Sequence, residues 1–390
     1  MLVRQATKAN HKKLRVVFFG GGSGTEAVLR ALWHLAQAIS AVIAVSDDGG
    51  DSGSLRDGLG WAPGDVRRAL IALASNVTGQ MARLFRVRLD SRFGDRAGQS
   101  FGNMVFAAAA QDGMDIAGQI DAAARLLGVT GKVYPATCET VSLIAEMTDG
   151  EIVRGESAIA AYPAHARRVR LEPETAAPPA GALEAIASAD SIIVGPGSVM
   201  TSLIPAILPS LEAVAASRAA RFLIVNAWRE GENDASTASD YVRIIASHLP
   251  GRRLFDCVLV HQPAQGESPA ANGRRSVEAD LGAIRAMGYA AVGADLLGPD
   301  GRHSGVRVAA LVAALTPKFS RQPPPIQPTT YDAVRNICPA RSVLETRRTP
   351  CLSVKTLLCR VRRRRAATAS VARPRSAPRV GRVLRRQRPS

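Results

Sequence analysis

A mainly parallel α/β sheet flanked by helices, with a small antiparallel excursion, is the fold class this sequence predicts. Three observations carry it: strand-length apolar runs, helical apolar spacing between them, and glycine at the strand ends. The run Leu14 to Phe19 is β-branched or aromatic and stops at Gly20, as a buried strand does. After it, Val28, Leu29, Leu32 and Leu35 recur at helical spacing. SAVIAVSDD, residues 40–48, reads as a second buried strand running into two acids. Strand, helix, strand with such uniformly apolar strands is a βαβ unit of a parallel sheet.

The remaining elements follow in order. DVRRALIALA (65–74), QIDAAARLL (119–127) and ALEAIASA (182–189) read as helices. SIIVG (191–195), RFLIVNA (221–227), FDCVLVH (255–261) and AAVGADL (290–296) read as further strands. Residues 131–159 alternate in short pieces, and these are expected to form the antiparallel excursion. VRVAALVAAL (306–315) is followed by the proline-rich SRQPPPIQPTT, which places a boundary near residue 318. The chain thus divides into a basic arm (1–13), a nucleotide-binding α/β domain (14–318) and a Pro- then Arg-rich tail (319–390). The tail's composition predicts disorder.

Composition narrows the function classes. A chain of 390 residues, 46% hydrophobic and 21% charged, can bury a sizeable core. Its net charge of +17 is unevenly spread: residues 331–390 carry +15, leaving +2 for the first 330. Attraction to polyanions is therefore expected of the tail alone, as weak, salt-sensitive binding to RNA, DNA or an anionic membrane. Cys138, Cys257, Cys338, Cys351 and Cys359 make no C-x-x-C pair, which favours a reducing, cytoplasmic setting over a zinc or disulfide framework. The opening MLVRQATKANHKKLR lacks the apolar core of a signal peptide. No apolar run reaches the roughly 18 residues of a membrane-spanning helix.

Six stretches carry candidate chemistry. Gly20, Gly21, Gly22, Ser23, Gly24 and Thr25 follow a strand and open a helix, and GSGTEA fits G-x-G-x-x-A. Glycines let backbone approach a diphosphate, and free N–H groups at a helix start attract its charge; a plain tight turn is the bland alternative. SDDGGDSGSLRD (46–57) brings Asp47, Asp48, Gly49, Gly50, Ser52, Gly53 and Arg56 into one loop. The acids suit a ribose, a sugar or Mg²⁺, and Arg56 suits phosphates; helix capping is the competing role for one of the acids. Gly64, Asp65 and Arg67, like Gly102 and Asn103, open apolar helices where an anion could sit. Gly195, Pro196, Gly197, Ser198, Thr201 and Ser202 form a second phosphate-type cradle after a strand. Asn226 heads a polar stretch holding Asp234, Thr237 and Asp240, and the alternative there is capping of the following helix by Ser239 or Asp240.

In this order, GGGSGTEAVLRAL, SDDGGDSGSLRD, PGDVRRALIALA, SFGNMVFAA, TGKVYPAT, ADSIIVGPGSVMTSLIPAIL and GEND…TASDYV resemble the YvcK-like proteins, the gluconeogenesis factors. These belong to a larger family that includes the 2-phospho-L-lactate transferase CofD. The resemblance covers about residues 14 to 316. It implies a Rossmann-like sheet with these loops at its C-terminal edge. For this branch it also implies a cytoplasmic UDP-sugar-binding protein, taking UDP-N-acetylglucosamine or UDP-glucose, linked to carbon metabolism, cell-wall precursor supply and cell shape. No catalytic residue follows from it. A second copy of the chain is a further candidate partner. Two enzyme readings compete: a CofD-like phospholactyl transfer from a guanylyl donor to a deazaflavin, and an NAD-type oxidoreductase. The chain departs from the branch pattern at Asp51, at NDAS (233–236) and at Tyr241. The changes at Ala235 and Ser236 are expected to alter contacts with the nucleotide or sugar.

Overall fold

The structure, a computed structural model, describes residues 14–22, 24–248, 253–263 and 274–320. The arm 1–13, Ser23 and the tail from residue 321 lie outside the described residues, as do the side chains of Asp51, Ser52, Ser54 and Asp57. Within them, β1 (Leu14–Gly20) leads through α1 (Thr25–Leu35) into β2 (Ala36–Ile43), which pairs parallel to it up to Gly20·Ile43. Phe18, Phe19, Val42 and Ile43 are fully buried, each worth about 1.5–3 kcal/mol of transfer from water. β2 starts earlier than SAVIAVSDD suggests and ends ahead of the two acids.

The loop expected at 46–57 is a helix over most of its length. α2 (Gly50–Leu59) starts after Gly49 and stops at Gly60, whose φ of 75° closes it with a bond from its N–H to the Arg56 carbonyl. Two internal glycines and a polar composition disfavour a helix by propensity. Tertiary contacts override this: Gly53 lies against the Asp48 carbonyl with no room for a Cβ. Arg56 Nη2 reaches the Val141 carbonyl, tying the helix to distant chain. Next come α3 (Pro63–Ala72), α4 (Gln80–Arg86), α5 (Phe101–Gln111) and α6 (Ile116–Leu127).

The excursion also differs from expectation. β3 (Lys132–Pro135) does not join it but pairs parallel with β2 at the sheet edge. β4 (Ser142–Met147) instead sits between β5 (Ile152–Arg154) and β6 (Ala166–Glu172), antiparallel to both. β6, with its charged ARRVRLE, escaped the apolar criterion because only Ala166, Val169 and Leu171 face inward. α7 (Glu156–Ala161) bridges β5 and β6.

α8 (Ala180–Ser188) returns the chain to the main sheet at β7 (Ser191–Val194). A helical run, Val199–Ala216, follows, interrupted by Pro205 and Pro209. By length and composition it could cross a membrane, at a mean hydropathy of 1.6, contrary to the reading that no such run exists; here 61% of it is buried inside the protein. β8 (Ala220–Ile224), α9 (Ala238–Ser247), β9 (Cys257–His261), α10 (Leu281–Ala286) and β10 (Ala290–Ala294) complete the sheet, and α11 (Gly305–Phe319) packs on α1. Gly305 abuts the Ala27 carbonyl with no space for a side chain.

The seven strands run β10–β9–β8–β7–β1–β2–β3, all parallel. From β1 the chain builds outward on one side through β2 and β3, then returns to the other side at β7. The switch point therefore lies between β1 and β7, where parallel α/β sheets open a crevice for ligands.

Candidate functional site

The loops leaving β1 and β7 meet at that crevice. A Cβ on Gly197 would lie 3.2 Å from the Gly21 carbonyl, and one on Gly24 would lie 3.6 Å from Pro196. The hydroxyl of Thr25 donates to the Gly21 carbonyl at 2.6 Å, fixing the first loop at the helix start. Together they open a cleft of about 460 Å³, within the usual range for small-ligand sites. Gly21, Gly22, Gly24, Pro196, Gly197, Ser198, Thr201, Ser202 and Asn226 line it, so the structure brings the two nominated cradles and Asn226 to one place. Gly20 and Gly195 stand just behind, ending their strands.

The cradle amides already have acceptors. Gly22 N–H donates to Asp65 Oδ2 at 2.6 Å, Gly197 N–H to Asn226 Oδ1 at 3.1 Å, and Val199 N–H to Glu230 Oε2 at 3.1 Å. Two of these three acceptors are carboxylates and the third is an amide oxygen, as suits backbone N–H groups that attract negative charge. Asp65 is held there from the first turn of α3 by Arg68, whose Nε donates at 3.0 Å.

Sequence reasoning nominated none of the cleft's charged side chains. Glu230 and Glu232 follow β8, Glu156 opens α7, and Arg229, Arg274, Arg302 and His303 stand around them. Glu232 accepts from the Ser198 hydroxyl. Asn226 and Asn233 both donate to Glu230. Burial pushes the Glu230 carboxyl up to about 7, with Glu232 adding to it and the amide donors opposing. Burial, then the charges of Asp47, Asp65, Glu232 and Asp48, push Glu156 up to about 9. Burial drives His303 down to about 4, and its buried Nε2 has no partner. Trp228 closes one wall, its Nε1 donating to the Gly301 carbonyl at 2.7 Å. Arg274 and Arg302 pair with no acid among the described residues. The one available signal was the acid-rich REGE after a strand end.

Other nominated residues lie outside the cleft lining and make contacts within the surrounding frame. Asp48 Oδ1 accepts the Ser157 N–H at 2.7 Å, capping α7 and holding Glu156 in place. Asp47 Oδ1 accepts the Gly49 N–H at 2.8 Å. Arg56 faces β4, and buried Arg67 donates to the Phe85 carbonyl at 2.9 Å. Gly64 is buried in the first turn of α3. Gly102 makes room for Arg67 and Phe85, while Asn103 is buried at the start of α5. Thr237 and Asp240 form a reciprocal capping box on α9, and Asp234 is exposed outside the cleft lining. The expected capping alternatives were Ser239 or Asp240; Thr237 is the cap residue. Tyr241, one of the departures, is buried in α9. Among the described residues, no group of three or more His, Cys, Asp or Glu is arranged to hold a metal ion.

Comparison with known proteins places this geometry. Residues 16–297 match the family described as 2-phospho-L-lactate transferase CofD. The gluconeogenesis factor of Listeria monocytogenes is 35% identical over 318 residues, spanning 80% of this chain and 98% of that protein. That of Bacillus subtilis is 37% identical, spanning 71% of this chain and 89% of its own length. A crystal structure of a UPF0052 family member from Bacillus halodurans superposes with a TM-score of 0.72 at 35% identity, over 77% of this chain and 99% of that one. On these matches, which span most of the chain, it belongs to the CofD family, alongside the gluconeogenesis factors.

Proposed function

We propose that the cleft binds a UDP-sugar, UDP-N-acetylglucosamine or UDP-glucose. On this reading the chain is a cytoplasmic regulatory protein linking carbon metabolism to cell-wall precursor supply and cell shape. The observation that carries the reading is the mixed lining of the switch-point cleft. Its glycine loops and the arginines Arg229, Arg274 and Arg302 suit a diphosphate. Glu156, Glu230 and Glu232 line the same cleft, and carboxyl groups accept or donate hydrogen bonds to sugar hydroxyls according to their protonation. Trp228 offers a flat indole in that lining for a base or sugar face. A lone phosphate would leave the carboxyl groups and the indole unused.

Calorimetric titration of the full chain with UDP-N-acetylglucosamine, UDP-glucose, GDP and NAD tests the reading. Tight binding of a UDP-sugar and weak binding of the others is expected. Binding of NAD alone would sink it, and turnover with a guanylyl donor and a deazaflavin would move the protein to the transferase class. Repeating the titration with and without Mg²⁺ decides whether Asp47 and Asp48 serve a cation.

A further inference from the structure

A surface on the α4 side carries features that the cleft does not use. α4 buries Ala82 and Phe85 and turns Met81 and Leu84 outward, three residues apart on one helix face. The chain then enters a hairpin. Phe101 N–H donates to the Val87 carbonyl at 3.0 Å, Leu89 N–H to Gln99 at 2.9 Å, and Gly98 N–H to Leu89 at 2.7 Å. At its tip, Ser91–Arg96, every residue is exposed. The root is firm: Phe85 and Phe101 pack edge to face at 5.9 Å, and Arg67 holds the Phe85 carbonyl.

Of the nine exposed large apolar side chains among the described residues, four lie here: Met81 (37%), Leu84 (37%), Val87 (46%) and Phe93 (53%). Such clustering marks an interaction surface rather than scattered exposure. The same stretch carries Arg83, Arg86, Arg88, Arg92 and Arg96 against only Asp90 and Asp95. Arg86 is pinned to Glu26 and Arg92 to Asp90. Arg83 and Arg96 pair with no acid among the described residues.

We propose that α4 and this hairpin dock the protein reversibly on an anionic lipid surface. Phe93 enters the boundary between headgroups and acyl chains, and the free arginines meet lipid phosphates. Charge selects this occupant. A two-fold contact with a second copy repeats the same patch on both sides, and would set two net-basic stretches, each with five arginines and two aspartates, against each other. A nucleic acid satisfies the arginines but gives Met81, Leu84 and Val87 no hydrocarbon to enter. An anionic membrane supplies both. The proposal stands apart from the nucleotide reading, and the basic tail adds only an unspecific pull toward the same surface.

The test uses the full chain carrying Phe93→Trp, mixed with phosphatidylglycerol–phosphatidylcholine vesicles whose acyl chains are brominated. Its emission is expected to shift blue and be quenched well beyond that of the parent, whose own tryptophans lie elsewhere. Sedimentation at raised salt, where the tail's attraction is screened, should still pellet the parent. Phe93→Ser and the double variant Arg83→Glu, Arg96→Glu should each partition about tenfold less. These side chains are exposed, so unchanged melting is the control for folding. Absence of extra quenching, or parent-like pelleting of Phe93→Ser, would assign all binding to the tail and overturn the proposal. A change in molecular mass of Phe93→Ser without vesicles would instead make the patch a contact between copies.

Discussion

The Asp65 carboxylate accepts the Gly22 amide at 2.6 Å, so a side chain from α3 occupies the first anion position of the glycine loop. A ligand diphosphate must share or displace it. Replacing Asp65 with Asn removes a negative charge while keeping an acceptor of the same shape. Asp65→Asn is expected to bind a UDP-sugar roughly fivefold more tightly in the absence of divalent cations, about 1 kcal/mol. Calorimetry reads this directly; weaker binding would show that the carboxylate itself holds the ligand.

Gly21 leaves no margin for a side chain. A methyl there would lie 2.5 Å from Asp65 Oδ2 and 3.3 Å from Ser202 Cβ. Gly21→Ala is expected to push the glycine loop out of its close approach to Ser202 and lower UDP-sugar affinity at least tenfold, about 1.4 kcal/mol, outweighing any gain from moving Asp65. A melting temperature near that of the parent would place the defect in the loop rather than in the core.

Glu156 makes stability depend on pH. Its carboxyl sits near 9 in the folded chain against an ordinary 4.5, so between those values the folded state holds a proton that the unfolded state has released. Stability therefore falls as pH rises through that window. Glu156→Gln, uncharged at every pH, should match the parent at the acid end and melt a few degrees higher at the alkaline end. Thermal melts across the range test the sign.

Arg221 and Asp256 lock β8 to the entry of β9. The guanidinium is 1% exposed and donates to both carboxylate oxygens, at 3.1 Å and 2.9 Å. Asp256→Ala leaves the arginine buried without its partner and should cost about 3–5 kcal/mol in denaturant unfolding. Arg221 lies away from the cleft lining, so whatever protein folds should bind ligand as the parent does.

Thr237 separates two readings of one residue. Its side chain accepts the Asp240 N–H and completes the cap of α9. Thr237→Ala should cost about 1 kcal/mol of stability and leave UDP-sugar titration unchanged. A loss of affinity at constant stability would return it to the binding site.

Much of the sheet was legible because several strands are short apolar runs, and β1 and β7 also run into glycine, so Leu14 to Gly20 and Ser191 to Val194 announce themselves. The two glycine loops were legible for the same reason, since pattern and position coincide. What escaped was set by long-range contact. Gly50–Leu59 is helical against its own propensity, because distant carbonyls and close packing hold it. Glu156 enters the cleft from an element that Asp48 caps across more than a hundred residues. Asp65 and Arg67 looked alike as helix-start polar groups, yet one faces the glycine loop and the other is buried under α4. No local pattern distinguishes such a pair; only the direction of each side chain on the finished helix does.

The cleft draws on chain from Gly21 to His303, and both its walls depend on β7 lying beside β1. During synthesis the first glycine loop emerges early, but its partner is made some 170 residues later and the turn bearing His303 later still. A nascent chain can therefore fold its first βαβ unit while remaining unable to hold a ligand. Ligand can stabilise only the nearly finished product, so it acts on the completed protein's lifetime and not on the early course of its folding.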